Sequence, residues 1–202
     1  MKIVNALVQA DIDNGVPLKL DLGSGGAGKE GFYAVDHMDL NGVDIIADLN
    51  QPLALLPDDS VSHIYTRHAL EHIDEFLLLM KELWRVAKSD ATIDIIVPHF
   101  SNVFAYSDPT HVRFFGLYTM FYFVAPEDQP SQRKVPAFYS ETRFYVDSLR
   151  IQFYRLNIVD RIVVPIFSKL VNSSFFMQAF YERRLSGLFR AWQITYTMRP
   201  KK

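Results

Sequence analysis

Eight residues, 23–30, are all that separate two stretches that read as neighbouring strands, and this shortness constrains the fold more than any other feature. The first stretch, Leu18-Lys19-Leu20-Asp21-Leu22, runs directly into Gly23-Ser24-Gly25-Gly26-Ala27-Gly28. The second, Gly31-Phe32-Tyr33-Ala34-Val35-Asp36, begins almost at once. Parallel neighbours need a crossover of about a dozen residues or more to carry a helix. A helix therefore cannot stand between these two strands. Glycines let a backbone approach a ligand closely and adopt positive φ at no steric cost. Ligands of open α/β sheets sit at the carboxyl ends of the strands, where Asp21 and Asp36 would flank one crevice.

The same shortness excludes two phosphate readers. Gly23-x-Gly25-x-x-Gly28 matches the dinucleotide pattern, and Gly23 to Lys29 matches the start of a P-loop, but both need a helix opening at the turn. The residue after Lys29 is Glu30, where a P-loop carries Ser or Thr for Mg²⁺. A phosphate-free ligand with an adenosine and a charged amino-acid tail suits the loop better. It needs close backbone approach, one carboxylate for ribose hydroxyls and a second acid for an amine. The bland alternative is a glycine-rich turn with no ligand.

The 202 residues, 49% of them hydrophobic, suffice for one well-cored α/β domain. A net charge of -2 provides no basic field for nucleic acid. The absence of cysteine removes disulfides and thiolate metal sites. The first residues, Met1 to Leu7, are too short an apolar run for a signal peptide, and no uncharged apolar run approaches a membrane span. A cytoplasmic protein is expected.

Taken in order, residues 3–12 carry helix-like apolar spacing, stopped by Asn14-Gly15 and Pro17. The strands at 18–22 and 32–36 follow, then Val43 to Leu49 as a third strand, a turn at Pro57 to Ser60, and a fourth strand from Val61 to Thr66. From Ala69 to Lys88 the residues Leu70, Ile73, Leu77, Met80, Leu83, Trp84 and Ala87 recur at helical spacing. Ala91 to Val97 is a buried strand stopped by Pro98. Strands alternating with helical pattern predict an α/β fold with a largely parallel sheet.

These residues resemble class I S-adenosylmethionine-dependent methyltransferases. Leu20-Asp21-Leu22-Gly23-Ser24-Gly25, Val35-Asp36, Ala47-Asp48-Leu49, His68-Ala69-Leu70-Glu71-His72-Ile73, Leu83 to Lys88 and Ile95 to Pro98 stand in that family's order across residues 18–125. The likeness is greatest to its small-molecule type 11 branch. Most members place a helix between the first two strands; a truncated variant linked to cell-surface saccharide pathways is similar to this chain in omitting it. The resemblance implies a Rossmann-like, mostly parallel sheet of about seven strands with an antiparallel C-terminal strand. It also implies S-adenosyl-L-methionine as cofactor. Asp21, Gly23, Ser24 and Gly25 would meet its amino-acid end, Asp36 its ribose, and Asp48 and Leu49 its adenine, with His37 also among the cofactor-binding residues. Thr66, Arg67 and His68 would lie near the methionine moiety. Each has a plainer alternative, Asp48 as a turn cap and His68 as a solvated helix-start residue.

The acceptor of the methyl group should lie in the loop after the fifth strand, which packs His99, Tyr106, Asp108, His111 and Arg113 into one polar-aromatic run. A hydroxyl acceptor has to lose a proton, and a base of near-neutral pKa helps. His99 and His111 are the candidates, with Asp108 to orient one of them. Arg113 could hold an anionic group, with Tyr106 beside it. Asp108-Pro109-Thr110 is equally an ordinary helix entry. A metal site is not expected: nitrogen and oxygen ligands from His99, Asp108 and His111 are conceivable, but the spacing does not define their geometry. The aromatic run from Phe114 to Phe123 reads as helix core.

A single domain over 1–202 is expected, with 99–142 as acceptor loop and lid and 158–190 as an apolar helical insert. Residues 143–155 and 191–198 read as a closing strand pair. The insert, with Arg161, Lys169, Arg183, Arg184 and Arg190 through it, would cap the site, form a homodimer patch or make peripheral membrane contact. The functional expectation is a methyltransferase for a small-molecule hydroxyl, saccharide-like or anionic. The alternatives are a catalytically silent binding protein of the same fold and methylation of a lipid-linked precursor at a membrane surface.

Overall fold

In the computed structural model, which describes residues 1–155 and 157–202, the two strands that bracket the glycine loop are β2 (Leu18–Leu22) and β3 (Tyr33–Asp36). They pair in parallel, Leu20 with Tyr33 and Leu22 with Val35. The intervening residues form turns and no helix, as the chain length requires. The remaining strands are β1 (Lys2–Ile3), β4 (Ile45–Ile46), β5 (Val61–Arg67), β6 (Ala87–Pro98), β7 (Arg143–Phe153) and β8 (Ala191–Lys201). Among the described residues they form one sheet in the order β1-β4-β3-β2-β5-β6-β8-β7. Strands β4 to β6 are mutually parallel. Antiparallel pairs close both ends: β1 on β4, and β8 between β6 and β7. Strand order reverses between β2 and β5, and this switch point opens a crevice at their carboxyl ends.

One face of the sheet carries the core. Leu20, Ile64, Ile93, Ile95, Tyr196 and Met198 are fully buried there with Leu79, Met80 and Leu83 of α2 (Phe76–Val86). The aromatic segment after β6 adds Phe115 and Phe123, whose rings meet Phe76 edge-on, each at 5.7 Å. That segment is a 3₁₀ turn over Thr119–Phe123 in place of a longer helix. The helical pattern of 69–88 is likewise split, into a 3₁₀ turn at Leu70–His72 and α2, which gives way to β6 at Ala87. The third strand contracts to Ile45–Ile46, and the leading helix α1 is Ala6–Asp13.

The opposite face is polar. Lys19 and Arg67 are exposed, and His63, Tyr65, Asp94 and Thr197 are half-buried. His63 Nε2 lies 2.9 Å from Asp94 Oδ2, and Thr197 Oγ1 donates to Asp94 Oδ1 at 2.8 Å. Parallel sheets ordinarily bury both faces under crossover helices, and the segments 23–32, 37–44 and 47–60 hold none. The glycine loop takes part of that place: Lys29 N donates to Asp21 at 2.8 Å, and Lys29 Nζ stands 3.9 Å from the Tyr65 ring centre.

Between β7 and β8 lie α3 (Asp160–Val171) and α4 (Phe175–Arg184). Helix α4 buries Tyr181 in the core, whereas α3 leaves Ile162, Val163, Ile166 and Leu170 more than half exposed. Residues 125–142 hold no helix or strand. Gln129 anchors them by donating to the carbonyls of Phe121, Val124 and Val135, and Tyr139 to Thr142 line a cleft with Leu77, Lys81 and Trp84 of α2.

Candidate functional site

The bend after β2 is built by glycine. Gly23 has φ +72°, and a Cβ added there would stand 2.3 Å from Ala69 Cβ. The loop can therefore press against the turn that follows β5. Gly25 N donates to Asp36 Oδ2 at 2.9 Å, and Met38 N to Asp36 Oδ1 at 3.0 Å. These bonds fix the carboxylate at the end of β3, with His37 Nδ1 3.1 Å away. A carboxylate has about four lone-pair sites, so Asp36 retains acceptor capacity toward the crevice.

That crevice is a cavity of about 710 Å³ lined by Gly23, Asp36, His37, Asp48, Leu49, His68 and His72, among others. Asp48 closes a turn by accepting from Asn50 N at 2.9 Å while also lining the cavity. Asp21 does not reach it. Its carboxylate serves Lys29 N, and burial raises its pKa against the opposing effect of that bond and of the Lys29 charge. Thr66 is fully buried and Arg67 points into solvent, so neither lines the cavity. Three shielded oxygens near the switch point lack a partner among the described residues: Ser24 Oγ, Thr66 Oγ1 and Glu71 Oε2. Leu22 and Thr66 are register partners, so the first two orphans sit at adjacent strand ends. Orphaned buried polar atoms are uncommon in proteins and ask for a ligand or water.

A second cavity of about 520 Å³ adjoins the first and shares His68 and His72 with it. Its other walls include Glu71, Asn102, Asp108, His111, Tyr154 and Trp192. His68 stands at the seam with φ +54°, its Nε2 3.0 Å from Gln193 Oε1 on β8 and its Nδ1 3.5 Å from Glu71 Oε1. Tyr154 and Trp192 stack with centres 5.7 Å apart at 29°.

The acceptor-loop residues divide. His111 lines the second cavity, and Asp108 Oδ2 lies 3.8 Å from its Nε2. Two bonds from Thr110, through its side chain and its amide, hold the Asp108 carboxyl below the usual range. His99 does not belong with them. It is fully buried, with Nδ1 2.8 Å from Ser101 Oγ and Nε2 3.1 Å from Glu182 Oε1. Its ring lines neither of the two cavities. Arg113 is also engaged elsewhere. It donates to the carbonyls of Ile73 and Asp74 and lies over the Phe76 ring at 4.8 Å, while its Nε has no partner among the described residues. Tyr106 stacks on Phe114 at 4.3 Å on the surface. Reading the sequence passed over Glu71 and His72 as individual groups, although both stand inside the quoted His68-to-Ile73 motif. Tyr154, Trp192 and Gln193 carried no local signal, because antiparallel pairing from the far end of the chain brings them here.

The sheet order with its crevice at the switch point is the fold of class I S-adenosylmethionine-dependent methyltransferases, with an extra edge strand and without the first crossover helix. No protein-family model matches this chain, and no curated protein matches it. Solved structures do. A SAM-dependent methyltransferase from Archaeoglobus fulgidus aligns over 97% of this chain and 94% of its own, at 18% identity and a TM-score of 0.56. The YcgJ protein of Bacillus subtilis aligns over 96% and 97%, at 16% identity and a TM-score of 0.52. An S-adenosylmethionine-dependent methyltransferase from Mesorhizobium loti aligns over 94% and 96%, at 12% identity and a TM-score of 0.51. At these identities the likeness is one of fold.

Proposed function

We propose that this chain is an S-adenosyl-L-methionine-dependent methyltransferase whose acceptor is a small hydroxyl-bearing molecule of saccharide-like character. The observation that carries the reading is Asp36, held at the end of β3 by the Gly25 and Met38 amides and facing a 710 Å³ crevice with no helix N-terminus after β2 to receive phosphate. Asp36 would accept from the ribose hydroxyls, and Asp48 and Leu49 would border the adenine. The unpartnered Ser24 Oγ and the 23–25 backbone would meet the amino-acid end. His37 and His68 border the same cavity.

Methyl transfer is an in-line displacement in which the acceptor oxygen bonds to the methyl carbon as the sulfonium leaves as a neutral thioether. Positioning supplies much of the acceleration. The adjoining cavity suits the acceptor: the Tyr154 and Trp192 rings offer flat apolar surfaces of the kind sugar rings stack on. Glu71, His72 and His111 are the groups there able to take a proton or hold an oxygen.

Calorimetric titration with S-adenosylmethionine tests the reading. Wild type should bind one equivalent, and Asp36→Asn should weaken binding by 1–3 kcal/mol, about 5- to 150-fold, with the fold intact by circular dichroism. Absence of heat from a folded wild type would reject it. Binding without turnover on any hydroxyl acceptor would favour a silent binding protein.

A second reading concerns where the acceptor resides. Ile158, just before α3, and Ile162 and Ile166 on it are 76%, 69% and 68% exposed, with Arg161 and Lys169 on the same helix and Arg183, Arg184 and Arg190 nearby in the chain. No single described helix is long and apolar enough to cross a membrane. An exposed apolar face with basic flanks suits peripheral contact with an anionic lipid surface, which favours a lipid-linked acceptor over a free one.

A further inference from the structure

At the seam of the two cavities, one carboxylate oxygen of Glu71 and one ring nitrogen each of His72 and His111 all lie within 4.8 Å of one another. We propose that these three residues form a binding site for a divalent transition-metal ion, with Zn²⁺ the best match to the donor set. Local spacing does not announce this set, because His72 and His111 are brought together only by the fold.

Three independent features support the site. The first is Glu71, only 2% exposed, whose Oε2 has no hydrogen-bond partner among the described residues. A buried carboxylate oxygen without a donor is costly, and a cation relieves that cost. The second is the tautomeric state of the histidines. His111 Nδ1 lies 2.9 Å from the Ala105 carbonyl, which only accepts, so Nδ1 carries the proton and Nε2 presents its lone pair. His72 Nδ1 lies 2.9 Å from Thr110 Oγ1, which is itself 2.5 Å from Asp108 Oδ1. Thr110 donates to the carboxylate and accepts from His72, leaving His72 Nε2 as its lone-pair nitrogen. Metal-binding histidines are oriented in this way, the second ring nitrogen donating to a carbonyl or to a carboxylate relay. The third is spacing. Zn²⁺ bonds of about 2.1 Å place donors roughly 3 to 4 Å apart, so a modest contraction of the cluster closes the site.

Two imidazoles and one carboxylate form a donor set that catalytic zinc sites use, with a fourth position open. Mg²⁺ and Ca²⁺ prefer all-oxygen ligands and suit it poorly. The open position would face the seam that His68 and His72 share between the cavities. Resting on the methyltransferase reading, the ion's task is to bind the acceptor hydroxyl. The O–H proton passes to solvent water, and the bound oxygen forms its bond to the methyl carbon as the carbon–sulfur bond breaks. The metal site itself does not depend on that reading.

Titration of chelator-treated protein with ZnCl₂, without S-adenosylmethionine, tests it. Wild type should bind one equivalent, and Co²⁺ in its place should give visible d–d absorption. His111→Ala and, at a more accessible position, His72→Ala should each weaken Zn²⁺ binding at least 100-fold with unchanged circular dichroism. Thr110→Val, which breaks the relay to Asp108, should weaken it about 10-fold. A folded wild type that binds no Zn²⁺, or binding that neither histidine substitution reduces, would overturn the proposal. Zinc binding without S-adenosylmethionine binding would instead reject the methyltransferase reading and leave the metal site standing.

Discussion

Replacing Gly23 by alanine tests the packing on which the crevice depends. The residue has φ +72°, and the new Cβ would lie 2.3 Å from Ala69 Cβ. The left-handed conformation costs a residue bearing a Cβ about 1–2 kcal/mol. Forcing an extra methyl into a filled contact costs about 1–3 kcal/mol more. The sum, roughly 2–5 kcal/mol, corresponds in a domain of this size to a fall in Tm of about 4–20 °C. Thermal melts of four proteins separate the two causes: wild type, Gly23→Ala, Ala69→Gly and the double variant. Removing the Ala69 methyl relieves the clash and leaves the dihedral cost untouched. The double variant should therefore show a favourable coupling of about 1–3 kcal/mol and still fall short of additive recovery. A Gly23→Ala protein within about 0.5 kcal/mol of wild type, or a coupling near zero, would refute the close approach of bend and turn.

Two further predictions concern stability and docking. Glu82 accepts from Leu53 N and from Arg85, and the Arg85 bond is the main cause holding its carboxyl below the ordinary value of 4.5. The pair's contribution is therefore complete above that value and is lost as pH falls through the folded-state pKa. Glu82→Gln should lower Tm at neutral pH and flatten its decline below about pH 4.5; an unchanged acid limb would exclude the pair as its source. Co-sedimentation with phosphatidylglycerol-rich vesicles should retain wild type and release the Ile162→Asp/Ile166→Asp variant, with retention falling as salt rises. Equal sedimentation of both proteins, or a concentration-dependent dimer that the same substitutions abolish, would overturn membrane docking.

The fold was legible where chain length and periodicity are local matters. The bend after Leu22 and the alternating faces of β5 follow from spacing alone, whereas β6, read as a buried strand, alternates buried and half-buried residues over 91–97. The helix over 69–88 was not. Its apolar period runs through Ile73 and Asp74, but His68 enters the turn in the left-handed region and Gly23 needs Ala69 close by, which forces a 3₁₀ turn before α2 can begin. The surroundings of His99 were illegible for a related reason. A histidine after a buried strand reads as a site residue, yet Glu182, 83 positions away, supplies a buried partner that no local pattern reveals.

By itself the sequence determined that no crossover helix follows β2, that phosphate readers are excluded and that Asp36 ends a strand beside a glycine bend. Each of these is a matter of reach and dihedral freedom within a few residues. Only the tertiary structure decided which histidines share a site. His68 meets Gln193 across 125 positions, and Glu71 and His72 meet His111 through a loop whose path is dictated by its packing on α2. Contacts of that kind arise from where strands and loops return in space, and no residue announces them from its own neighbourhood.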